Sequence, residues 1–209
     1  MNQFFTRLLS GAALVLLLGL AYSCHYPELF SLLLIACLGI ILALEWPKCG
    51  PAILTPWFPI TPFLVLIYLN QSSTYHHLVL LIFASSMLFD VGAYLIGSRC
   101  GQWKLAPSIS PNKTWEGFAG GVLFSFLIVL LNPLRHLFMA HPVWTACFIL
   151  LIDITALMGD LFVSHLKRRA QIKDCGTILP GHGGLLDRFD SILFVTIIFF
   201  LFRRSLSLP

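Results

Sequence analysis

Charge is what this sequence has least of: Asp and Glu number 9 and Lys and Arg 13 in 209 residues, so charged residues are only 11% of the chain. A soluble domain carries about 25%, and so few charges cannot cover the surface of a globule of this size. A water-soluble fold is excluded, and with it a disordered chain, a collagen-like fibre and a coiled coil. The six cysteines, at 24, 37, 49, 100, 147 and 175, form no C-x-x-C pair, and no His stands at zinc-finger spacing. Neither a metal knuckle nor a redox motif is present. Internal repeats and a Gly/Ser linker are also missing, and a net charge of +4 is too small to suggest a nucleic-acid partner without a concentrated patch. Residues 1–209 therefore read as one domain.

What the chain does have is apolar length. Hydrophobic residues make up 58%, and the mean hydropathy is +0.88. Runs near 4–22, 29–45, 52–69, 78–97, 118–133, 143–163 and 190–202 approach the about 20 residues a spanning helix needs. The fold class expected is an all-α, polytopic transmembrane bundle of about seven spans, with 1–77 forming N-terminal spans and 78–209 the region that carries the polar motifs. The first run follows Arg7 and is closed by no A-x-A pattern, so it reads as a retained span rather than a signal peptide. The third holds Pro51, Pro56, Pro59 and Pro62, which predicts a kinked entry.

Lys and Arg collect in cytoplasmic loops. Arg99, Lys104 and Lys113 lie in 98–117; Lys167, Arg168, Arg169, Lys173 and Arg188 lie in 164–189; the segment 70–77 has no charge. Alternating the spans from an inside Arg7 places Lys48 and both basic segments in the cytoplasm, as for an inner-membrane protein of a bacterium. Arg135, Arg203 and Arg204 fall outside in that scheme.

Two acids, Asp90 and Asp153, interrupt apolar runs, where a charged side chain costs about 2.5–3.5 kcal/mol and so needs a partner or a polar cavity. At 100° per residue, Asp153, Asp160, Ser164 and Lys167 share one face of the sixth span within about 60°. This polar stripe leads into the densest polar stretch, Ser164-His-Leu-Lys-Arg-Arg-Ala-Gln-Ile-Lys-Asp174, then Pro180-Gly-His-Gly-Gly184 and Asp187-Arg-Phe-Asp190. A basic run alone would suit a topology signal or anionic lipid. Interleaved acids point instead to metal plus phosphate. Mg²⁺ takes oxygen ligands, commonly one or two carboxylates completed by substrate phosphates and water. Asp187 and Asp190, three apart where a helix begins, can point the same way. Lys167, Arg168, Lys173 and Arg188 would neutralise phosphate oxygens, and the Gly-rich turn at His182 would let backbone N–H groups approach an anion. The loop 97–117 brings Ser110, Lys113, Thr114 and Glu116 to the same side as candidate substrate contacts. Gly117 and Gly121 form a small-x-x-x-small pair suited to close helix contact, within the chain or between two chains.

These motifs resemble those of the phosphatidate cytidylyltransferases, also called CDP-diacylglycerol synthases. The signature S-x-[apolar]-K-R-x4-K-D-x-[small]-x2-[apolar]-P-x-H-G-G-[apolar]-x-D-R-[apolar]-D stands complete from Ser164 to Asp190. Ser110-Pro-Asn-Lys-Thr-Trp-Glu-Gly117 is similar to the family's S-P-K-K-T-W-E-G element, with Asn112 in place of a common Lys. Asp90-Val-Gly-Ala-Tyr-Leu-Ile-Gly97 is similar to its D-x-x-A-Y-x-x-G helix. The resemblance implies transfer of a cytidylyl group from CTP to phosphatidic acid with Mg²⁺, and it allows a K⁺ ion beside the Mg²⁺ and a homodimer within membrane lipid. It assigns Asp174, Asp187 and Asp190 to metal, with Lys173 also catalytic. Substrate binding falls to Lys113, Glu116, Ser164, Lys167, Arg168, His182 and Arg188, with Asp160 on the cavity wall. Bacterial members are commonly longer at the N-terminus, which implies a reduced lipid-facing part here. The rival readings are a cytidylyltransferase for another lipid phosphate and, in a different class, an ion-coupled transporter using Asp90, Asp153 and Asp160 as a relay. The transporter is disfavoured because the polar residues gather at one membrane side and no repeat is visible.

Overall fold

The computed structural model describes residues 13, 16–23, 26–130, 132–178 and 183–206. In chain order these build α1 (Pro27–Cys49), α2 (Ala52–Gln71), α3 (His76–Cys100), a hairpin of β1 (Lys104–Ala106) and β2 (Ser110–Thr114), α4 (Trp115–Leu130), α5 (Asn132–Ala140), α6 (Pro142–Arg169) and α7 (Leu186–Phe202). Helices α1, α2, α3 and α6 are long and apolar enough to cross a membrane, which agrees with a helical membrane bundle. The expected first span lies outside the described residues except for a helical stretch at 16–23. The fifth and seventh runs form shorter helices, α4 and α7.

Proline shapes the first two helices. Pro47 has no N–H to continue the α-helical ladder, and the turn before it, Ile41–Glu45, widens to π geometry, with the Trp46 N–H donating to the Ile41 carbonyl. Such a bulge re-aims the side chains on it. In α2 the expected kink is present: Phe58 is extended (φ −153°, ψ 122°) between Pro56 and Pro59. The break inserts the Phe58 ring between Trp46 at 5.7 Å, Phe162 at 5.4 Å and Phe194 at 5.5 Å, tying α2 to α1, α6 and α7.

Helices α3 and α4 pack with their backbones nearly touching. A Cβ at Gly92 would stand 2.5 Å from the Gly120 carbonyl oxygen, one at Gly120 would stand 2.6 Å from Ile96 Cβ, and Gly121 is as close to the Phe89 ring. The small-residue pair Gly117 and Gly121 therefore serves a contact within the chain. Within the loop 97–117 between these helices lies the antiparallel hairpin, with Lys104 opposite Thr114 and Ala106 opposite Ser110. Thr114 caps α4, its Oγ1 accepting from Gly117 N at 3.1 Å.

Helix α6 has 28 residues and so measures about 42 Å, longer than a hydrocarbon core of about 30 Å. Its last turns leave the apolar layer, carrying the basic run with them. The hairpin, the end of α1 and the start of α7 meet at that end, through Lys113 with Asp160, Cys49 with Cys175 and Glu45 with Leu185. The opposite end joins Tyr22, Tyr75, His76 and Arg203 by stacking and cation-ring contacts.

Candidate active site

Each member of the α6 stripe has a different partner. Deepest is Asp153, fully buried, whose Oδ1 accepts from Ser125 Oγ of α4 at 2.7 Å. Two turns on, Asp160 pairs with Lys113 of the hairpin and accepts from Ser164 Oγ at 3.2 Å. At the end, Lys167 Nζ donates to Asp187 Oδ1 at 2.7 Å, with side-chain exposures of 11% and 5% for the pair. The expected alignment holds, but it links three neighbouring elements rather than forming a continuous relay.

The signature segment after α6 folds back on itself around Asp187. Asp187 Oδ2 accepts from Cys175 N at 3.0 Å and Gly184 N at 2.9 Å, so its three bonds come from one ammonium and two backbone N–H groups. Gly183 takes φ +86°, the left-handed region that favours glycine. A Cβ there would lie 3.1 Å from both Asp174 Cβ and Asp187 Oδ2, so the two acids face each other across that glycine. Arg168 braces the outer surface, donating from Nε to the Ile109 carbonyl at 3.2 Å and from a guanidinium nitrogen to the Ile172 carbonyl at 3.1 Å. Lys173 and Asp174 are exposed. His182 and Pro180 lie outside the described residues.

Between the hairpin, α3, α4 and α6 opens a cavity of about 620 Å³, whose polar lining includes Asp90, Lys104, Ser110, Asn112, Lys113 and Asp160. Asp190 is 7% exposed, its Oδ1 accepting from Ser191 N at 2.7 Å, and Asp160 and Asp90 are the charges that act on it most strongly. Lys113 and Arg188 bring positive charge to Asp90. Lys167 feels both Asp187 and Asp190.

Several expectations change at this point. Asp187 and Asp190 do not converge on one ligand position: Asp187 is committed to Lys167 and the loop, and Asp190 faces the acids of α3 and α6. Among the described residues no three His, Cys, Asp or Glu side chains stand close enough to hold a metal ion, so Asp174, Asp187 and Asp190 do not form a ready-made cage. Glu116 is not in the cavity lining; both its oxygens face the Trp103 N–H, at 3.1 and 3.3 Å, and backbone N–H bonds, its own first, hold its carboxyl below the usual range. It clamps the hairpin onto α4. Of the Gly-rich turn expected to let backbone N–H groups approach an anion, the Gly184 N–H is taken by Asp187, and the next two, of Leu185 and Leu186, are taken by another carboxylate of the protein.

One of those carboxylates was missed by sequence reasoning. Glu45 is fully buried and accepts from Leu185 N and Leu186 N, each at 2.7 Å. The signal was available: an acid at the end of an apolar run, followed at once by Trp-Pro. Next to it, the Cys175 thiol donates to Cys49 Sγ at 3.5 Å, and that hydrogen bond, with burial, pushes the Cys175 thiol well above the usual range.

Comparison with known proteins agrees with the signature. A protein from Rickettsia conorii named phosphatidate cytidylyltransferase is 33% identical over 97% of this chain and 92% of its own length. Its namesake from Rickettsia prowazekii is 31% identical over 95% and 91%. A phosphatidate cytidylyltransferase from Staphylococcus aureus is 49% identical, but over 57% of this chain and 46% of its own length. The profile of the Cytidylyltransferase family matches residues 1–206, a span that takes in the hairpin, the α6 stripe and the turn around Asp187, and the chain belongs to that family.

Proposed function

We propose that the chain transfers the cytidylyl group of CTP to phosphatidic acid, releasing pyrophosphate and forming CDP-diacylglycerol, at the cytoplasmic face of a bacterial inner membrane. The observation that carries this reading is the cavity of about 620 Å³ at the basic end of the bundle, where a charged nucleotide from water and a phosphate on a lipid can meet. Names carried by the Rickettsia and Staphylococcus relatives supply the substrates.

A phosphate oxygen of the lipid forms a bond to the α-phosphorus of CTP while the bond from that phosphorus to the pyrophosphate oxygen breaks. No protein nucleophile is required. The obstacle is bringing two anions together, so the work of the protein is positioning and charge neutralisation. Lys104 and Lys113 line the cavity; Lys113 is held toward it by Asp160 and can share its ammonium with an incoming phosphate. Lys167 is fixed by Asp187, and Arg168, Lys173 and Arg188 surround the same end. Ser164 keeps Asp160 oriented through its hydroxyl.

The residues fit a divalent cation of the Mg²⁺ type, which is content with one or two carboxylates and completes its shell with substrate phosphates and water. Asp90 and Asp160, from α3 and α6, line the cavity, with Asp190 of α7 buried under the influence of both charges, while Asp187 is engaged by three donors. The absence of a three-residue cage among the described residues suits an ion that arrives with the nucleotide. Such an ion, when bound, supplies neutralisation of phosphate charge. The test is conversion of phosphatidic acid by the purified chain in detergent, with CTP, with and without Mg²⁺, following CDP-lipid and pyrophosphate together. Metal-dependent formation of both in equal amounts is the expected result. No product from protein shown to be folded would refute the reading.

A further inference from the structure

Glu45 is an acid for which the cytidylyl-transfer chemistry has no direct use. It sits at the inner end of α1, at 0% exposure, where an unpaired polar group is costly. Its two oxygens each accept one backbone N–H, Oε1 from Leu185 and Oε2 from Leu186, both at 2.7 Å. The preceding N–H, from Gly184, goes to Asp187 Oδ2 at 2.9 Å. Three successive N–H groups at the start of α7 are thus divided between two carboxylates, one from a helix about 140 residues earlier in the chain. The end of a helix dipole favours this placement.

The loop is built to close over that carboxylate. A Cβ at Gly176 would lie 2.6 Å from Glu45 Oε1, and one at Gly184 would lie 2.9 Å from both oxygens. Two segments of the signature therefore pass where no side chain fits, because Glu45 occupies the space. The π turn at Ile41–Glu45 aims it there, and the Cys49 and Cys175 sulfurs, 3.5 Å apart, join the end of α1 to the segment that holds Gly176.

We infer that Glu45 is a positioning residue for cytidylyl transfer: by clamping the first N–H groups of α7 it fixes where Asp187 and, one turn on, Asp190 stand. The inference rests on the proposed function. Glu45 touches no reacting atom; it acts through the helix start. Gln at this position keeps one acceptor oxygen and sets an NH₂ group against an N–H donor, so one end of the clamp opens while the volume stays the same.

The test compares the full-length wild type, Glu45→Gln, and Leu34→Ala in detergent. Leu34 is also fully buried in α1 but lies outside the π turn, so it reports plain loss of packing. Each protein is assayed for kcat and for KM of CTP, for thermal midpoint, and for hydrogen exchange of the peptide covering residues 183–193. For Glu45→Gln, kcat is expected to fall about 10- to 150-fold, the effect of losing one buried hydrogen bond made by a charged group, with KM within about 2-fold. Exchange is expected to rise in the 183–193 peptide alone, while Leu34→Ala keeps its kcat despite a lowered midpoint. An unchanged kcat in Glu45→Gln, or a loss no greater than that of Leu34→Ala, would overturn the inference, as would unchanged exchange at 183–193. A folded wild type with no activity would instead refute the proposed function, and the exchange comparison would still decide whether Glu45 holds α7.

Discussion

Replacing Asp187 by Asn changes one atom, and the structure makes that change severe. All three partners of Asp187 are donors: Lys167 Nζ at 2.7 Å, Cys175 N at 3.0 Å and Gly184 N at 2.9 Å. Asn has one acceptor oxygen, so its NH₂ must face either the ammonium or the two N–H groups. Keeping the two backbone bonds loses a charge-assisted hydrogen bond, worth about 1.5–3 kcal/mol, and leaves Lys167 without its counter-charge. Breaking a buried pair in this way costs about 3–5 kcal/mol. Lys167 is 11% exposed at its side chain and lies at a membrane edge where it can reach water, so the lower end, about 3 kcal/mol, applies. Lys167→Met should cost about the same for the mirror-image reason. The double variant should cost about 3 kcal/mol as well, rather than twice that, since the second removal breaks nothing further. The assay is unfolding of the four proteins by denaturing detergent in mixed micelles, run beside kcat/KM. A coupling energy near 3 kcal/mol is expected, with activity down at least about 100-fold in every variant. Additive costs, with coupling below about 0.5 kcal/mol, would refute the view that Lys167 and Asp187 act as one unit.

Other expectations follow from the same geometry. Gly159→Ala should lower the thermal midpoint and most of the activity, because the added Cβ would stand 2.6 Å from the Asp190 carbonyl oxygen and backbone must shift, at about 1–3 kcal/mol; an unchanged midpoint would be contrary to that packing. Lys113→Met should raise KM for CTP at least about 10-fold, the loss of one charged contact, and near-normal KM would remove Lys113 from substrate binding. At pH 8 a maleimide should label the exposed Cys100 and leave Cys175 unmodified, read by mass spectrometry. The sign follows from the Cys175 thiol being pushed up by its bond to Cys49 and by burial: raising a thiol above its ordinary range removes the reactive thiolate. Rapid labelling of Cys175 would show that the contact with Cys49 opens.

Apolar length made most of the bundle legible. Runs at 29–45, 52–69, 78–97 and 143–163 became α1, α2, α3 and α6, each extended by a few residues into polar sequence. The proline break in α2 was legible for the same local reason, a missing donor. The end of the fifth run was not, because Leu130 to Pro133 is apolar enough to continue a span while Asn132-Pro133 opens a new helix. The hairpin at 104–114 was hidden too: Lys-Leu-Ala and Ser-Pro-Asn-Lys-Thr carry no alternation of polar and apolar residues, and their pairing depends on Trp103 and Glu116 closing the base.

The acids divide by what surrounds them, and spacing alone could not show it. Asp187 and Asp190 are three apart and begin the same helix, yet one is saturated by donors from the loop and the other faces like charges from α3 and α6. A carboxylate already bonded to three donors is poorly placed to give up its oxygens to an incoming ion. A buried one surrounded by acids gains from any cation that enters. The loop therefore needs its own carboxylates, Asp187 and Glu45, to hold its N–H groups, which leaves Asp90 and Asp160 to the cavity. Sequence reading recognised Asp187 because it lies inside the signature. It missed Glu45 because that residue acts from another helix, where only the backbone of α7, and no motif, records its place.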